Sequence, residues 1–329
     1  MEILKFEPFL RTMVWGGDKI ARYKGISTDV PSIGESWEIS GYREHETAVK
    51  EGRFAGRTVN SLVEEFGPEL VGKKVYETYG NEFPLLIKFI DAASDLSIQV
   101  HPDDTFAAAH HGPDAKGKTE MWYVLGADKG AYLYSGLSAR LDPESYAAHI
   151  ADDSITDVLA RHDIAPGDVF FLPAGRIHAI GAGSFIVEIQ QTSDLTYRIY
   201  DYGRPGLDGK PRPLHTDLAK DAIDYRVYDD YRTRYDAVRD AEVPLVDCRY
   251  FHTSLLDLGK EFDLDLSALD SFEIFICIGG EGELHGVENG KQLPVCRLKQ
   301  GETVLVPASV SGLKLIPGKN GMRLLSTHC

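Results

Sequence analysis

The sequence predicts a mainly β protein, with two similar β units of sandwich or barrel type and a few short helices inserted in the first. Three observations carry this reading. Short apolar runs bounded by glycine and proline recur along all 329 residues, and strands of that length joined by tight turns build sandwiches and barrels rather than βαβ units. The 16 Tyr and 14 Phe favour pleated, half-buried surfaces, while the 32 Gly and 16 Pro supply turns. Two segments also read as weak copies of each other: Ala165-Pro-Gly-Asp-Val-Phe-Phe-Leu-Pro-Ala-Gly175 and Leu298-Lys-Gln-Gly-Glu-Thr-Val-Leu-Val-Pro-Ala308. Each gives a glycine, an acidic residue, an apolar strand and then Pro-Ala. A repeated unit of this kind implies two related domains, expected at residues 1–240 and 241–329. Only the first copy runs on into a histidine, His178, so one site is expected, and in the first domain.

The elements follow in order. Residues 1–50 alternate apolar runs with glycine turns, as in Ile33-Gly-Glu-Ser-Trp-Glu-Ile39, and read as strands and loops. Residues 57–79 carry helical spacing, with Leu62, Phe66 and Leu70 on one stripe and Pro68 interrupting it. The runs at 83–92 and 95–102 are strand candidates. Residues 103–112 suit one or two helical turns capped by aspartate. Two strands flank Gly126-Ala-Asp128, and residues 142–162 give the clearest helical stretch, opening on Asp142-Pro143. Short strands resume through DVFFLPAG, RIHAIGAG, SFIVEIQQ and LTYRIYDY, then a helix over 213–223. The charged, tyrosine-rich 224–244 reads as a surface connection. Beyond it strand follows strand to the end.

The formal charge of −16, from 35 basic and 51 acidic residues, argues against nonspecific binding to nucleic acid or anionic membrane. A small anionic substrate stays compatible with it, since a pocket can be locally positive. Cys248, Cys277, Cys296 and Cys329 are scattered with no CxxC pair, which reads as free thiols in a reducing compartment. No secretory leader pattern opens the sequence and no run approaches the roughly 20 apolar residues of a membrane span. A cytoplasmic protein with no membrane association is expected.

Chemistry concentrates in Ser97-Ile-Gln-Val-His-Pro-Asp-Asp104. Gln99 and His101 are two apart in a strand, hence on one face. Glu120 opens the apolar run Glu120-Met-Trp-Tyr-Val-Leu125, where an unpaired carboxylate would be costly. His178 follows the Pro173-Ala-Gly175 turn. Imidazoles and a carboxylate are the ligands a zinc site takes, and an amide oxygen can join them. The spacing 99, 101, 120, 178 is no compact metal signature, however, and each residue alone also reads as an ordinary core or surface group. His110 and His111 read as surface residues. Lys118 shares the face of Glu120 if the strand already runs there, and Arg198 ends a polar segment of ordered alternation.

SIQVHPDD, KTEMWYVL, PAGRIHAIGAG and EIQQTSDLTYRIYDYGR, with the early Gly16-Gly17 and Gly34-Glu-Ser-Trp-Glu38, resemble the type I mannose-6-phosphate isomerases in their short bacterial form. The likeness runs from the first residues to at least Arg204. It implies the cupin superfamily fold, two jelly-roll β-barrels with the ligands inside the first barrel and a ligand-free second domain. It implies one Zn2+ per chain on Gln99, His101, Glu120 and His178, an active-site arginine at Arg198, and Lys118 and Ser97 lining a sugar phosphate pocket. It also implies reversible isomerisation of mannose 6-phosphate to fructose 6-phosphate. The expected partner is a small sugar phosphate, with no protein partner required.

An aldose–ketose isomerisation moves a proton between carbons 2 and 1 through a cis-enediolate. A divalent cation, Arg198 and Lys118 would each stabilise the charge that develops on its oxygens. The proton carrier stays open among a water on the metal, Lys118 and Glu188, the last also a candidate substrate contact. Two rival readings remain at this level. Two histidines and a carboxylate also suit an iron oxygenase, against which the extra amide weighs, and the same pocket would serve a non-catalytic sugar-binding protein.

Overall fold

The computed structural model describes all 329 residues. Its strands pair antiparallel into sheets of five, seven and ten. The five-stranded sheet runs Tyr197–Tyr200, Ile98–Val100, His178–Ile180, Tyr132–Leu137, Leu159–Asp163 from edge to edge. The seven-stranded sheet runs Arg232–Thr233, Val169–Leu172, Glu120–Ala127, Ser184–Gln191, Leu85–Asp91, Ile33–Ser40, Phe9–Gly17. These two lie face to face. Ile90, Trp122, Val124, Phe170 and Ile186 from the larger sheet share one buried cluster with Leu133 and Ile180 from the smaller.

The architecture corrects one expectation. The protein is mainly β, but none of its sheets closes into a barrel, so it is not a pair of jelly-roll cupin barrels. Each sheet ends on two edge strands that do not pair with each other. Apolar side chains hold the layers together where a barrel would use a continuous hydrogen-bonded ladder. Strand alternation in a sequence reveals which residues share a face, but it does not reveal whether the last strand returns to the first.

The layers extend outward on both sides. The outer face of the five-stranded sheet packs Ile98, Val100, Tyr197 and Ile199 against Tyr146, Ala219 and Ile223, the first from the helix Pro143–Ala151 and Ala219 from Thr216–Ala222. The outer face of the seven-stranded sheet packs Leu85, Ile87, Phe89, Met121 and Ile189 against three short helices and the ten-stranded sheet. Those helices are Val59–Phe66, Pro68–Val71 and Lys73–Tyr79. Each is too short to hold in water alone. Together they bury Val59, Leu62, Val63, Leu70, Val71 and Val75, at roughly 1.5–3 kcal/mol for each large aliphatic side chain. The single stripe read from the sequence is broken where Gly67 (φ 47°) and Gly72 (φ 90°) turn the chain.

Two other readings shift in detail. The helical stretch expected over 142–162 stops at Ala151, with Asp153 at φ 59°. The chain then takes a single tight turn and enters the strand Leu159–Asp163, which pairs with Tyr132–Leu137. In the ten-stranded sheet, runs read as separate strands fuse into Glu273–Glu288 and Gly312–His328. Gly280 (φ 71°) and Gly321 (φ 83°) bend these strands rather than ending them. This sheet also takes in the N-terminal strand Leu4–Glu7, paired to Thr303–Val306. No helix is long and apolar enough to cross a membrane.

Glu273, at one end of the long strand, is buried, and one of its carboxylate oxygens has no hydrogen-bond partner. Burial, then the nearby Glu242, pushes its pKa well above the ordinary 4.5. The folded chain therefore keeps a proton that the unfolded chain releases, and stability falls as pH rises above the unfolded value. Urea midpoints across pH 4 to 8 should show Glu273→Gln gaining on the parent chain as pH rises. Parallel curves would show that Glu273 ionises freely in the fold.

Candidate metal centre

Cross-strand pairing builds the site from two rows of side chains on facing sheets. In the five-stranded sheet Arg198 lies opposite Gln99, Gln99 opposite His178, and His178 opposite Ser135. Directly opposed residues share a face, so these four form one row, and His101 follows Gln99 by two along the same strand direction. In the seven-stranded sheet the row is Trp122, Glu188, Lys88 and Trp37. Glu120 lies two before Trp122, on its face. The two rows meet across the interior.

The meeting point is a cluster of acceptors. Ligand atoms of His101, Glu120 and His178 lie within 4.8 Å of one another, and all three residues are buried. His178 Nε2 is 3.3 Å from Glu120 Oε1, and His101 Nε2 is 3.5 Å from Glu120 Oε2. Both imidazoles are oriented from behind: Nδ1 of His101 donates to the Leu195 carbonyl and Nδ1 of His178 to the Arg176 carbonyl, each at 2.8 Å. A neutral ring that donates from Nδ1 presents a lone pair at Nε2. Burial, and for His101 next the charge of Lys118, holds both rings well below their ordinary pKa, His178 at about 4. Both are therefore neutral near pH 7.

His101 Nε2 and both Glu120 oxygens have no well-angled hydrogen-bond partner, although Lys118 Nζ lies 2.9 Å from Oε2. Two imidazole lone pairs and a carboxylate converge in a buried space, and all but the His178 lone pair, which faces the Gln99 amide, lack a donor to satisfy them; this is a donor set that suits a cation. These residues form a candidate His/His/Glu metal-binding site. Gln99 stands beside them, its amide nitrogen 3.3 Å from His178 Nε2 and its oxygen 3.5 Å from Ser97 Oγ. Rotation of the amide by half a turn exchanges the two atoms in the same place.

Around this cluster runs a buried row of alternating charge. Lys88 Nζ lies 3.2 Å from Glu188 Oε1, Lys118 Nζ lies 3.8 Å from the same oxygen, and Trp122 Nε1 donates to Glu188 Oε2 at 2.9 Å. Burial alone would raise the Glu188 pKa, but Lys118 and Lys88 outweigh it and hold the carboxyl low. At Glu120 burial, and next the charge of Glu188, drive the carboxyl up against the pull of Lys118. The carboxylates in turn outweigh burial at Lys118 and keep it protonated. Arg198 lies on the edge strand of the five-stranded sheet. Its Nε donates to Ser97 Oγ at 3.3 Å and its Nη1 to the Pro213 carbonyl at 3.0 Å, with Nη2 free of any partner in the chain.

The eight residues singled out in the sequence thus come together. Lys88 escaped that reading. It lies in Phe83-Pro-Leu-Leu-Ile-Lys-Phe-Ile-Asp91, taken as a plain buried strand, and it is only 2% exposed. A lysine in the middle of so apolar a run was the available signal, because a buried ammonium requires a buried partner. Arg11 is another. It bridges Glu35 at 3.2 Å and Asp194 at 3.6 Å, and its guanidinium lies over the Trp37 ring.

Comparison with known proteins finds one family. A family model described as phosphomannose isomerase type I, catalytic domain, matches residues 3–130. Mannose-6-phosphate isomerase ManA of Bacillus subtilis is 32% identical over 316 residues, which cover 95% of the chain and 96% of that relative. The mannose-6-phosphate isomerase of Streptococcus mutans is 36% identical over 222 residues, 68% of each chain. The crystal structure of the mannose 6-phosphate isomerase from Bacillus subtilis superposes with a TM-score of 0.88 at 30% identity, covering all of both chains.

Proposed function

The chain belongs to the type I phosphomannose isomerases and is an enzyme of that family, and on that premise we propose that it interconverts mannose 6-phosphate and fructose 6-phosphate. Gln99, His101, Glu120 and His178 would hold one zinc ion per chain, and the orphaned acceptors of His101 and Glu120 carry that assignment. Neutral imidazoles, a carboxylate and an amide oxygen suit zinc, which brings no redox chemistry. When bound, a divalent cation supplies Lewis-acid stabilisation of negative charge on the oxygens of the open-chain sugar.

The chain's own residues do the rest. The reaction takes a proton from carbon 2, delivers one to carbon 1, and passes through a cis-enediolate whose oxygens gain charge. Lys118 keeps its proton at Nζ beside Glu120 and presents fixed positive charge where that charge grows. Arg198 does the same from the opposite sheet, with Ser97 fixing its Nε. Both act without reorganising, because protein dipoles and buried contacts already hold them. Glu188 lies between Lys88 and Lys118, 3.2 Å and 3.8 Å from their Nζ atoms, which suits it to fix both ammonium groups against the substrate. With a cation beside Glu120 to keep its carboxyl ionised, the row Lys88, Glu188, Lys118, Glu120 would be neutral in sum. Arg198 and a cation therefore leave the pocket net positive inside an acidic protein, which suits a phosphorylated substrate.

Incubating the purified chain with mannose 6-phosphate and assaying fructose 6-phosphate tests the reading, before and after dialysis against a chelator and with elemental analysis of each sample. Turnover should follow metal content and return on adding zinc. A zinc-loaded chain that forms no fructose 6-phosphate would overturn the assignment.

A further inference from the structure

The ten-stranded sheet contributes no side chain to the metal centre. Its contact with the seven-stranded sheet is mostly apolar, and apolar packing resists separation without aiming anything. Among the sheet's several polar contacts with the rest of the chain, one leads toward the site. Tyr250, in the turn between the strands Glu242–Asp247 and His252–Leu258, donates its hydroxyl to Asp104 Oδ2 at 2.8 Å. Both residues line a cleft of about 1460 Å³ beside the catalytic layers. The other oxygen of Asp104 accepts from Gln191 Nε2 at 3.1 Å and from the Gly117 amide at 2.9 Å. Gln191 Oε1 in turn accepts from the Thr119 amide at 2.8 Å, and the Gln191 amide donates to the Thr119 carbonyl at 3.2 Å.

Thr119 is the residue between Lys118 and Glu120. The regular ladder of the strand begins only at Glu120, so Lys118 and Thr119 stand outside it, with the Lys118 amide bonded to the Pro102 carbonyl at 3.0 Å. Gln191 grips the peptides on both sides of Thr119, and Asp104 grips Gln191. Gly117 allows the segment to lie against the start of the Asp104–His111 helix, where an added Cβ would stand 2.5 Å from the Asp103 carbonyl carbon. Asp104 also lies three residues after His101. The chain of bonds therefore reaches both segments that supply the site, and it starts in the C-terminal unit.

We propose that the C-terminal unit takes part in the reaction as a positioning element, with Tyr250, Asp104 and Gln191 carrying its contact to the peptide that places Lys118 and Glu120. The proposal rests on the isomerase reading. It predicts that the loss of one hydroxyl well away from the substrate slows turnover without loosening the fold. A misplacement of about 1 Å can cost roughly 100-fold in rate, and a partial release of the Thr119 peptide should cost about 3- to 10-fold.

The test uses the zinc-loaded full chain. Tyr250→Phe should lower kcat about 3- to 10-fold, leave KM within about twofold, keep metal content and melting temperature, and raise deuterium uptake in the peptide containing Thr119. Gln191→Met, which cannot bond the Thr119 amide, should lower kcat further. The double variant should be no slower than Gln191→Met alone, because the two act in series. Tyr123→Phe removes another contact between the two sheets, the bond to Arg323, from the face of the strand opposite Glu120, and should leave kcat unchanged. Unchanged kcat in Tyr250→Phe, or multiplying losses in the double variant, would overturn the proposal. An inactive parent chain would instead count against the isomerase reading, while deuterium uptake would still report whether the relay holds the peptide.

Discussion

His178→Ala should leave a folded chain with no bound metal and turnover reduced on the order of 10³-fold or more. The size follows from the loss of the cation. Lewis-acid stabilisation is worth several kcal/mol in the transition state, and each 1.36 kcal/mol is about tenfold in rate. The fold should survive because the substitution removes one polar group from a cluster already short of donors. Glu120 loses only a 3.3 Å neighbour that gave it no hydrogen bond, and the ring's two bonds, to the Arg176 carbonyl and from Gln99, go with it. His101→Ala should behave alike, since its ring is held the same way by Leu195. Elemental analysis, circular dichroism and the isomerase assay on the same preparation check this. A metal-free variant with parental turnover would remove the cation from the reaction.

Much of this site is legible in the sequence because its residues violate the pattern around them. Gln99 and His101 place polar groups on one face of a strand, and Glu120 places a carboxylate at the head of an apolar run. Such departures usually mark function, since burial of an unpaired polar group is costly elsewhere. The sequence does not reveal which strands become neighbours. Arg198 opposes Gln99, and Gln99 opposes His178, across separations of 99 and 79 residues. Alternation alone cannot give those registers, and the barrel expectation failed for the same reason. Lys88 shows a different limit. Its strand reads as fully apolar on both faces, which is true of its neighbours, and the partner that makes a buried lysine tolerable, Glu188, is exactly opposite only once the sheet is formed. The relay through Tyr250 is similarly invisible in advance, because tyrosine in a turn is ordinary until Asp104 is seen beside it.

Arg198→Ala should lower kcat about 100-fold while KM changes little. One well-aimed donor to developing charge is worth roughly 3 kcal/mol, and an interaction made mainly in the transition state appears in kcat rather than in KM. The geometry favours that outcome over simple anchoring of the phosphate. Two nitrogens of the guanidinium are fixed, to Ser97 and to the Pro213 carbonyl, which aims the free Nη2 instead of letting it follow a mobile anion. The arginine also shares a cross-strand row with Gln99 and His178, so it stands on the same face as the candidate metal ligands. Arg198→Lys supplies the control. Its ammonium keeps the charge but gathers all its donors on one nitrogen, without the fixed spacing by which the guanidinium fork reaches Ser97 and Pro213 and still points Nη2 elsewhere, so kcat should stay well below that of the parent. If Lys restores full turnover, only net charge matters at this position. If either substitution acts on KM alone, Arg198 binds the phosphate and the enediolate must be stabilised from the Lys118 side of the site.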